Sequence, residues 1–304
     1  MKKLNINNIK QHTKKNAIVT GANNGLGFET TRFFASKGIS VTMACRNLEK
    51  AEAAKQRILK ENPQANLHIQ EIDLKSLTSV RNFATTFVEK HQALDILVNN
   101  AGIMIPPFEL TKDGFESQMA VNYFSHFLLT SLLFPLLSKS TEGRVVSLSS
   151  IAHKSGKINF DNINFKGEYN KVAAYSQSKL ACLMFAYELD RRLAKSNSSV
   201  KSLAAHPGVS ATNLFQYLPK WFQFISPILT PFLSHSPDKA AQPIILAALS
   251  EEVKSGDYIG PSGFNEMKGA PAIADSTDYS KDIDIAHKLW AITEELTNTS
   301  FLSE

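Results

Sequence analysis

Short runs of aliphatic and β-branched residues alternate with longer segments of helical period between about residues 16 and 210. The first run, 17–20, ends at Gly21, and a helical pattern over 28–36 is stopped by Gly38. Strands are expected over 39–44, 67–72, 94–98, 144–148 and 200–205. Between them the pattern predicts helices over 49–61, 76–90, 115–137 and 173–195, the third of them strongly apolar. Strands that are continuous apolar runs, separated by helices, belong in a parallel sheet covered on both faces. With right-handed crossovers this is an α/β, Rossmann-type, doubly wound sheet, which takes ligands beyond the carboxyl ends of its strands.

No linker, repeat or low-complexity stretch divides the chain, so 1–304 reads as one domain with a core over 16–210. The stretch 211–263 is rich in proline and aromatics and reads as an irregular loop or lid over a substrate site. A C-terminal segment over 264–304 follows it.

Composition narrows the function classes. Hydrophobic residues make up 43% and charged residues 20% of the 304, as in ordinary globular enzymes. The net charge of +5 is spread among acids with no basic run, which argues against nucleic acid as a partner. Cys45 and Cys182 lie in apolar stretches and form no metal-ligand spacing, which suits buried free thiols in a reducing cytoplasm. The basic start of the chain is not followed by an apolar signal region, and no stretch reaches about 18 uninterrupted apolar residues. No transmembrane helix is therefore expected. The aromatic, proline-rich 221–233 stretch could serve as a patch for a partner or a membrane surface.

The candidate chemistry lies at strand ends. Gly21, Asn23, Asn24, Gly25, Leu26 and Gly27 fall in a glycine-rich turn between the first strand and the first helix. Such a turn lets backbone N–H groups approach a pyrophosphate, and the helix N-terminus favours its charge. The second strand ends at Arg46 with no acid to receive ribose hydroxyls, and a guanidinium suits a 2′-phosphate. This favours NADP over NAD. Tyr175 and Lys179 stand four apart on a helix face, where a nearby ammonium lowers the pKa of a phenol towards the working range of a general acid/base. Asn122, a polar residue in an apolar helix, needs hydrogen-bond partners.

The TGxxxGxG turn, the Asn99-Asn100-Ala101-Gly102 sequence and the YxxxK pair resemble the short-chain dehydrogenase/reductase family. The resemblance implies hydride transfer between a nicotinamide and a small-molecule carbonyl or alcohol substrate. It implies that Asp73 and Leu74 lie near the adenine, and that Asn100, Ala101 and Gly102 shape the floor of the cofactor site. Pro207 and Gly208 would close over the nicotinamide, with Thr212 contacting its carboxamide or a phosphate. Ser150, with Ser149 as the alternative, would orient the substrate oxygen, and Asn122 would support a water linked to Lys179. His153 and His206 are expected to be structural, since Tyr175 supplies the proton. The interval from Ser150 to Tyr175 is 25 residues, longer than the usual dozen. That insertion, together with the C-terminal Asp257-Tyr258-Ile259-Gly260-Pro261 and Leu289-Trp290, resembles the retinol-dehydrogenase-like branch. The family implies pairing as a homodimer or homotetramer. Two other readings of the same fold stay open, a non-catalytic dinucleotide sensor and an interaction protein.

Overall fold

The computed structural model describes residues 3–167, 169–209 and 235–302. Its strands are β1 (Asn16–Thr20), β2 (Ser40–Cys45), β3 (Leu67–Glu71), β4 (Ile96–Asn99), β5 (Arg144–Leu148), β6 (Lys201–Ala205), β7 (Tyr258–Pro261) and β8 (Pro271–Ile273). They form one sheet in the order β3-β2-β1-β4-β5-β6-β7-β8. All neighbours are parallel except β7 and β8, which run antiparallel. The order reverses between β1 and β4, and that switch opens a crevice beyond their carboxyl ends.

Among the described residues the longer helices are α1 (Gly25–Ser36), α2 (Leu48–Glu61), α3 (Leu77–Lys90), α4 (Ser117–Leu137), α5 (Lys171–Lys195), α6 (Pro237–Leu249) and α7 (Ile283–Thr297). Their starts follow from capping side chains. Asn24, Asn47, Ser76, Glu116, Asn170 and Asp282 each accept a hydrogen bond from a first-turn N–H. Alternation along β1 divides the interior: Ile18 joins the core under α3, α4 and α5, while Ala17 and Val19 join the core under α1, α2 and α6. The parallel strands are thus buried on both faces, as their unbroken apolar runs require.

One expectation changes. The chain over 235–263 is not an irregular lid: it holds α6, which packs on α1 and the sheet, and β7, which pairs with β6. Pro237 sits at the N-terminal end of α6, where its missing N–H costs nothing, so proline there starts the helix. The remainder of the expected lid, including the 221–233 stretch, lies outside the described residues. Helix α4 is long and apolar enough to cross a membrane by length and composition. In this fold 83% of its most apolar window is buried in the protein, so its hydrophobicity is met by packing.

An aromatic cluster docks the C-terminal α7 onto that helix. Phe127 lies 4.8 Å from the Trp290 ring, 5.5 Å from Phe185 and 5.4 Å from Phe301. The Arg192 guanidinium covers the Trp290 ring at 4.4 Å. Phe127 is fully buried, so Phe127→Ala should destabilise the fold by roughly 3–5 kcal/mol, seen as a lower midpoint in urea with an unchanged slope.

Candidate active site

The glycine-rich turn is built by close approach. Gly21 and Gly25 adopt φ of +68° and +53°, a region open to glycine without strain. A Cβ on Gly27 would stand 2.4 Å from the Gly21 carbonyl oxygen and 2.6 Å from Asn100 Nδ2. The first turn of α1 therefore rests directly on the ends of β1 and β4. Asn24 Oδ1 accepts the Gly25 N–H at 2.8 Å. Gly25, Leu26 and Gly27 line a cavity of about 390 Å³, at the positive end of the helix.

Thr20 holds β4 against this turn. Its Oγ1 accepts the N–H groups of Asn100 and Ala101, both at 2.9 Å, while Asn100 Nδ2 donates to the Thr20 carbonyl at 2.7 Å. Buried His126 lies 3.0 Å from Thr20 Oγ1 through Nε2 and 3.0 Å from the Asn122 carbonyl through Nδ1. Burial holds its pKa down at about 4, so the ring is neutral. Its Nδ1–H then donates to Asn122 and its Nε2 accepts from Thr20. Thr20 opens the TGxxxGxG turn but was given no role there, and His126 belongs to no motif picked out in the sequence. The available signal was spacing, since His126 follows Asn122 by one helical turn on an otherwise apolar face.

Asn122 sits in a π-helical turn of α4, Ala120–Phe124, a distortion often found at functional sites. Its Nδ2 donates to Ser178 Oγ at 2.8 Å and to the Ile103 carbonyl at 3.1 Å, and its Oδ1 accepts the Ile103 N–H at 2.9 Å. The side chain thus joins the loop after β4 to α5.

Tyr175 and Lys179 line the cavity from α5 with Ser149 and Ser150 opposite. Strand β5 and this helix are locked reciprocally: Lys179 Nζ donates to the Leu148 carbonyl at 2.9 Å, and Ser149 Oγ donates to the Lys179 carbonyl at 2.8 Å. Ser149 is therefore committed to the scaffold, whereas Ser150 Oγ accepts the Ala152 N–H at 3.2 Å and lines the cavity together with Tyr175. The expected fall in the Tyr175 pKa is absent. Burial raises it to about 12, only partly offset by Ser150. Burial likewise lowers the Lys179 pKa. Desolvation thus outweighs helical proximity, and the ammonium is turned towards the Leu148 carbonyl.

The other sequence candidates divide into two groups. Gly21, Asn24, Asn100, Ala101, Gly102, Pro207 and Gly208 line the cavity. Asn23, Arg46, Asp73, Leu74 and Asn122 lie behind or beyond its walls. Arg46 is exposed just past β2, and Asp73 forms a turn in which Oδ1 accepts the Lys75 N–H at 3.0 Å. The Leu74 side chain faces the core, and its carbonyl accepts from Ser125 Oγ at 2.7 Å. Thr212 lies outside the described residues. Gly208 has φ of +70°, and a Cβ there would meet the Met267 carbonyl at 2.4 Å. His153 and His206 are fully buried behind this wall, and burial lowers the pKa of both.

A glycine cradle at a helix N-terminus, opposite a hydroxyl pair and a buried lysine, fits a dinucleotide whose reactive end reaches Tyr175. The short chain dehydrogenase family model matches residues 15–223. The chain belongs to the short-chain dehydrogenase family, and within it to the retinol-dehydrogenase-like branch. It is an oxidoreductase fold by that membership. Human retinol dehydrogenase 13 is 41% identical over 289 residues, covering 93% of this chain and 84% of that protein. The chloroplastic short-chain dehydrogenase TIC 32 B of Brassica napus is 35% identical over 293 residues, covering 93% and 88%. Among solved structures, an uncharacterized protein from Mycobacterium paratuberculosis superposes with a TM-score of 0.81 at 36% identity, covering 99% of both chains. The NADP complex of Pseudomonas aeruginosa RhlG has a TM-score of 0.64 at 22% identity, covering 82% and 94%, and supports the fold.

Because the Gly21 carbonyl and the pinned Asn100 amide have no room to retreat, Gly27→Ala should strain the cradle by about 1–3 kcal/mol. The expected result is a lower thermal midpoint together with weaker dinucleotide binding, read by calorimetry and by nucleotide fluorescence.

Proposed function

We propose that this chain is an NADP(H)-dependent oxidoreductase that interconverts an apolar aldehyde or ketone and its alcohol. The observation that carries the reading is the Tyr175–Ser150 hydroxyl pair in the same cavity as the first turn of α1. A bound nicotinamide dinucleotide would supply or accept the hydride. The Gly21–Gly27 turn would hold its pyrophosphate, Asn100 and Gly102 would floor the site, and Lys179 would hold the nicotinamide-side ribose.

The protein's own part is proton transfer and positioning. Ser150 donates a hydrogen bond to the substrate oxygen and so orients it. Tyr175 gives its hydroxyl proton to that oxygen as negative charge develops there. Ser149 and Lys179 keep β5 and α5 at a fixed distance, which sets the separation of the two hydroxyls. Ile103, Met104, Leu148, Ile151 and Val209 line the cavity, and this apolar surface suits a hydrophobic substrate. Relatives named retinol dehydrogenases support the same substrate class. Two free buried thiols, Cys45 and Cys182, accord with a reducing compartment such as the cytoplasm.

Tyr175→Phe removes the proton donor and should lower carbonyl reduction by at least about a thousandfold while NADPH binding stays within about twofold. In the wild type, a Tyr175 pKa raised to about 12 leaves the phenol protonated at neutral pH. Reduction, which uses the acid form, should therefore be flat from about pH 6 to 9. Oxidation, which uses the phenolate, should rise about tenfold per pH unit over that range. A flat oxidation profile with chemistry rate-limiting would count against Tyr175 as the base.

The cofactor preference rests on Arg46, exposed past the end of β2, where no acid stands to receive a ribose hydroxyl. Arg46→Ala should raise the KM for NADPH about ten- to a hundredfold, the cost of one charge-assisted contact, and leave that for NADH nearly unchanged. Equal effects on both cofactors would remove the basis for the NADP assignment.

A further inference from the structure

Two buried carboxamides, one turn apart on α4, grip the loop that carries Met104 to the cavity wall. Asn122 takes both backbone groups of Ile103, and Gln118 Oε1 accepts the Ile105 N–H at 2.8 Å. Met104, between those two anchors, lines the cavity beside Ile103. Ile105 has φ of +56°. A β-branched residue holds that conformation only where its surroundings impose it, and such strain collects at functional sites.

The orientation of Gln118 is itself dictated. Its side chain is fully buried, and Nε2 donates to Tyr169 Oη at 2.8 Å and to the Lys171 carbonyl at 3.0 Å. Tyr169 Oη in turn donates to Glu116 Oε1 at 3.0 Å. With both amide protons used, Oε1 is the atom left to face Ile105. Tyr169 and Lys171 belong to the long interval between Ser150 and Tyr175. That insertion therefore reaches the Met104 side of the cavity wall through the Gln118 side chain.

We propose that Gln118 is a positioning residue for substrate selection. It holds Ile105 in its left-handed conformation and so fixes how Met104 projects towards the space in front of Tyr175. The selected group is the apolar body of a carbonyl substrate, resting on Met104 and Ile103. This inference rests on the carbonyl-oxidoreductase reading above.

The test follows NADPH oxidation by the full chain with a short linear aldehyde and a bulky apolar aldehyde. Gln118→Leu should raise the KM for the bulky aldehyde about tenfold, as expected when a wall shifts by a fraction of an ångström. The kcat/KM for the short aldehyde and the Kd for NADPH should stay within about twofold. In the double variant Ile105→Gly, Gln118→Leu the loss should shrink to about threefold or less, because glycine adopts positive φ without a clamp. A role confined to stability would show no such rescue. Tyr169→Phe, which keeps the ring and loses the hydroxyl, should give a smaller but equally selective loss, and it carries the test if Gln118→Leu does not fold. Uniform losses on both aldehydes, no loss in a folded variant, or no rescue by glycine would overturn the proposal. Wild-type protein that binds NADPH but turns over neither aldehyde nor any of a wider carbonyl panel would instead overturn the functional reading beneath it.

Discussion

The arrangement depends first on one close contact, the seating of α1 on the ends of β1 and β4. Gly27 lies so near the Gly21 carbonyl and Asn100 Nδ2 that no side chain fits between them. Thr20 makes that approach possible by accepting two N–H groups just past β4, those of Asn100 and Ala101, with a single hydroxyl oxygen. Without it the Ala101 N–H would lose its partner, at a cost of about 1–3 kcal/mol. From Thr20 the network runs through neutral His126 to the Asn122 carbonyl, and from the Asn122 side chain to the loop at Ile103 and to Ser178 on α5. The dinucleotide cradle and the helix carrying Tyr175 are thus parts of one hydrogen-bonded frame.

Within that frame the polar groups differ in how free they are. Ser149, Asn122, Thr20 and His126 spend their hydrogen bonds on the protein. Ser150 and Tyr175 both line the cavity, where a ligand oxygen can reach the two hydroxyls. This difference separates two adjacent serines that look equivalent as a sequence. Ser149, just past β5 and still bonded through its N–H to the Ala205 carbonyl, is turned towards α5, while Ser150 caps the short 3-10 turn Ile151–Ser155.

The alternation of strands and helices, the glycine turn and the Tyr175–Lys179 pair were legible because each depends on local spacing. Helix starts came within a few residues, and capping by Asn24, Glu116 and Asn170 accounts for the differences. The end of the sheet was not legible. Strand β7 is four residues long and ends in Pro261, α6 carries Pro243 in its interior, and their burial comes from tertiary neighbours. The network of Gln118, Tyr169, Thr20 and His126 was also hidden, since buried polar residues reveal their partners only once distant segments meet. The Tyr175 pKa failed for a related reason: a spacing of four implies a nearby cation, but the burial that overrides it is a property of the whole fold.

Under the proposed mechanism, that burial has a chemical consequence for direction. A phenol with its pKa raised to about 12 is a reluctant base and a persistent acid at neutral pH. Proton donation to a developing alkoxide needs no prior ionisation, whereas proton removal from an alcohol must first create a phenolate in a desolvated pocket. Lys179 is the buried cation nearest that pocket, and its Nζ donates to the Leu148 carbonyl in this state. Oxidation therefore requires a change in the field at Tyr175 that reduction does not. The same low-dielectric setting strengthens any charge brought into the cavity, so the balance between the two directions is set by the ligand's own charge as much as by Tyr175.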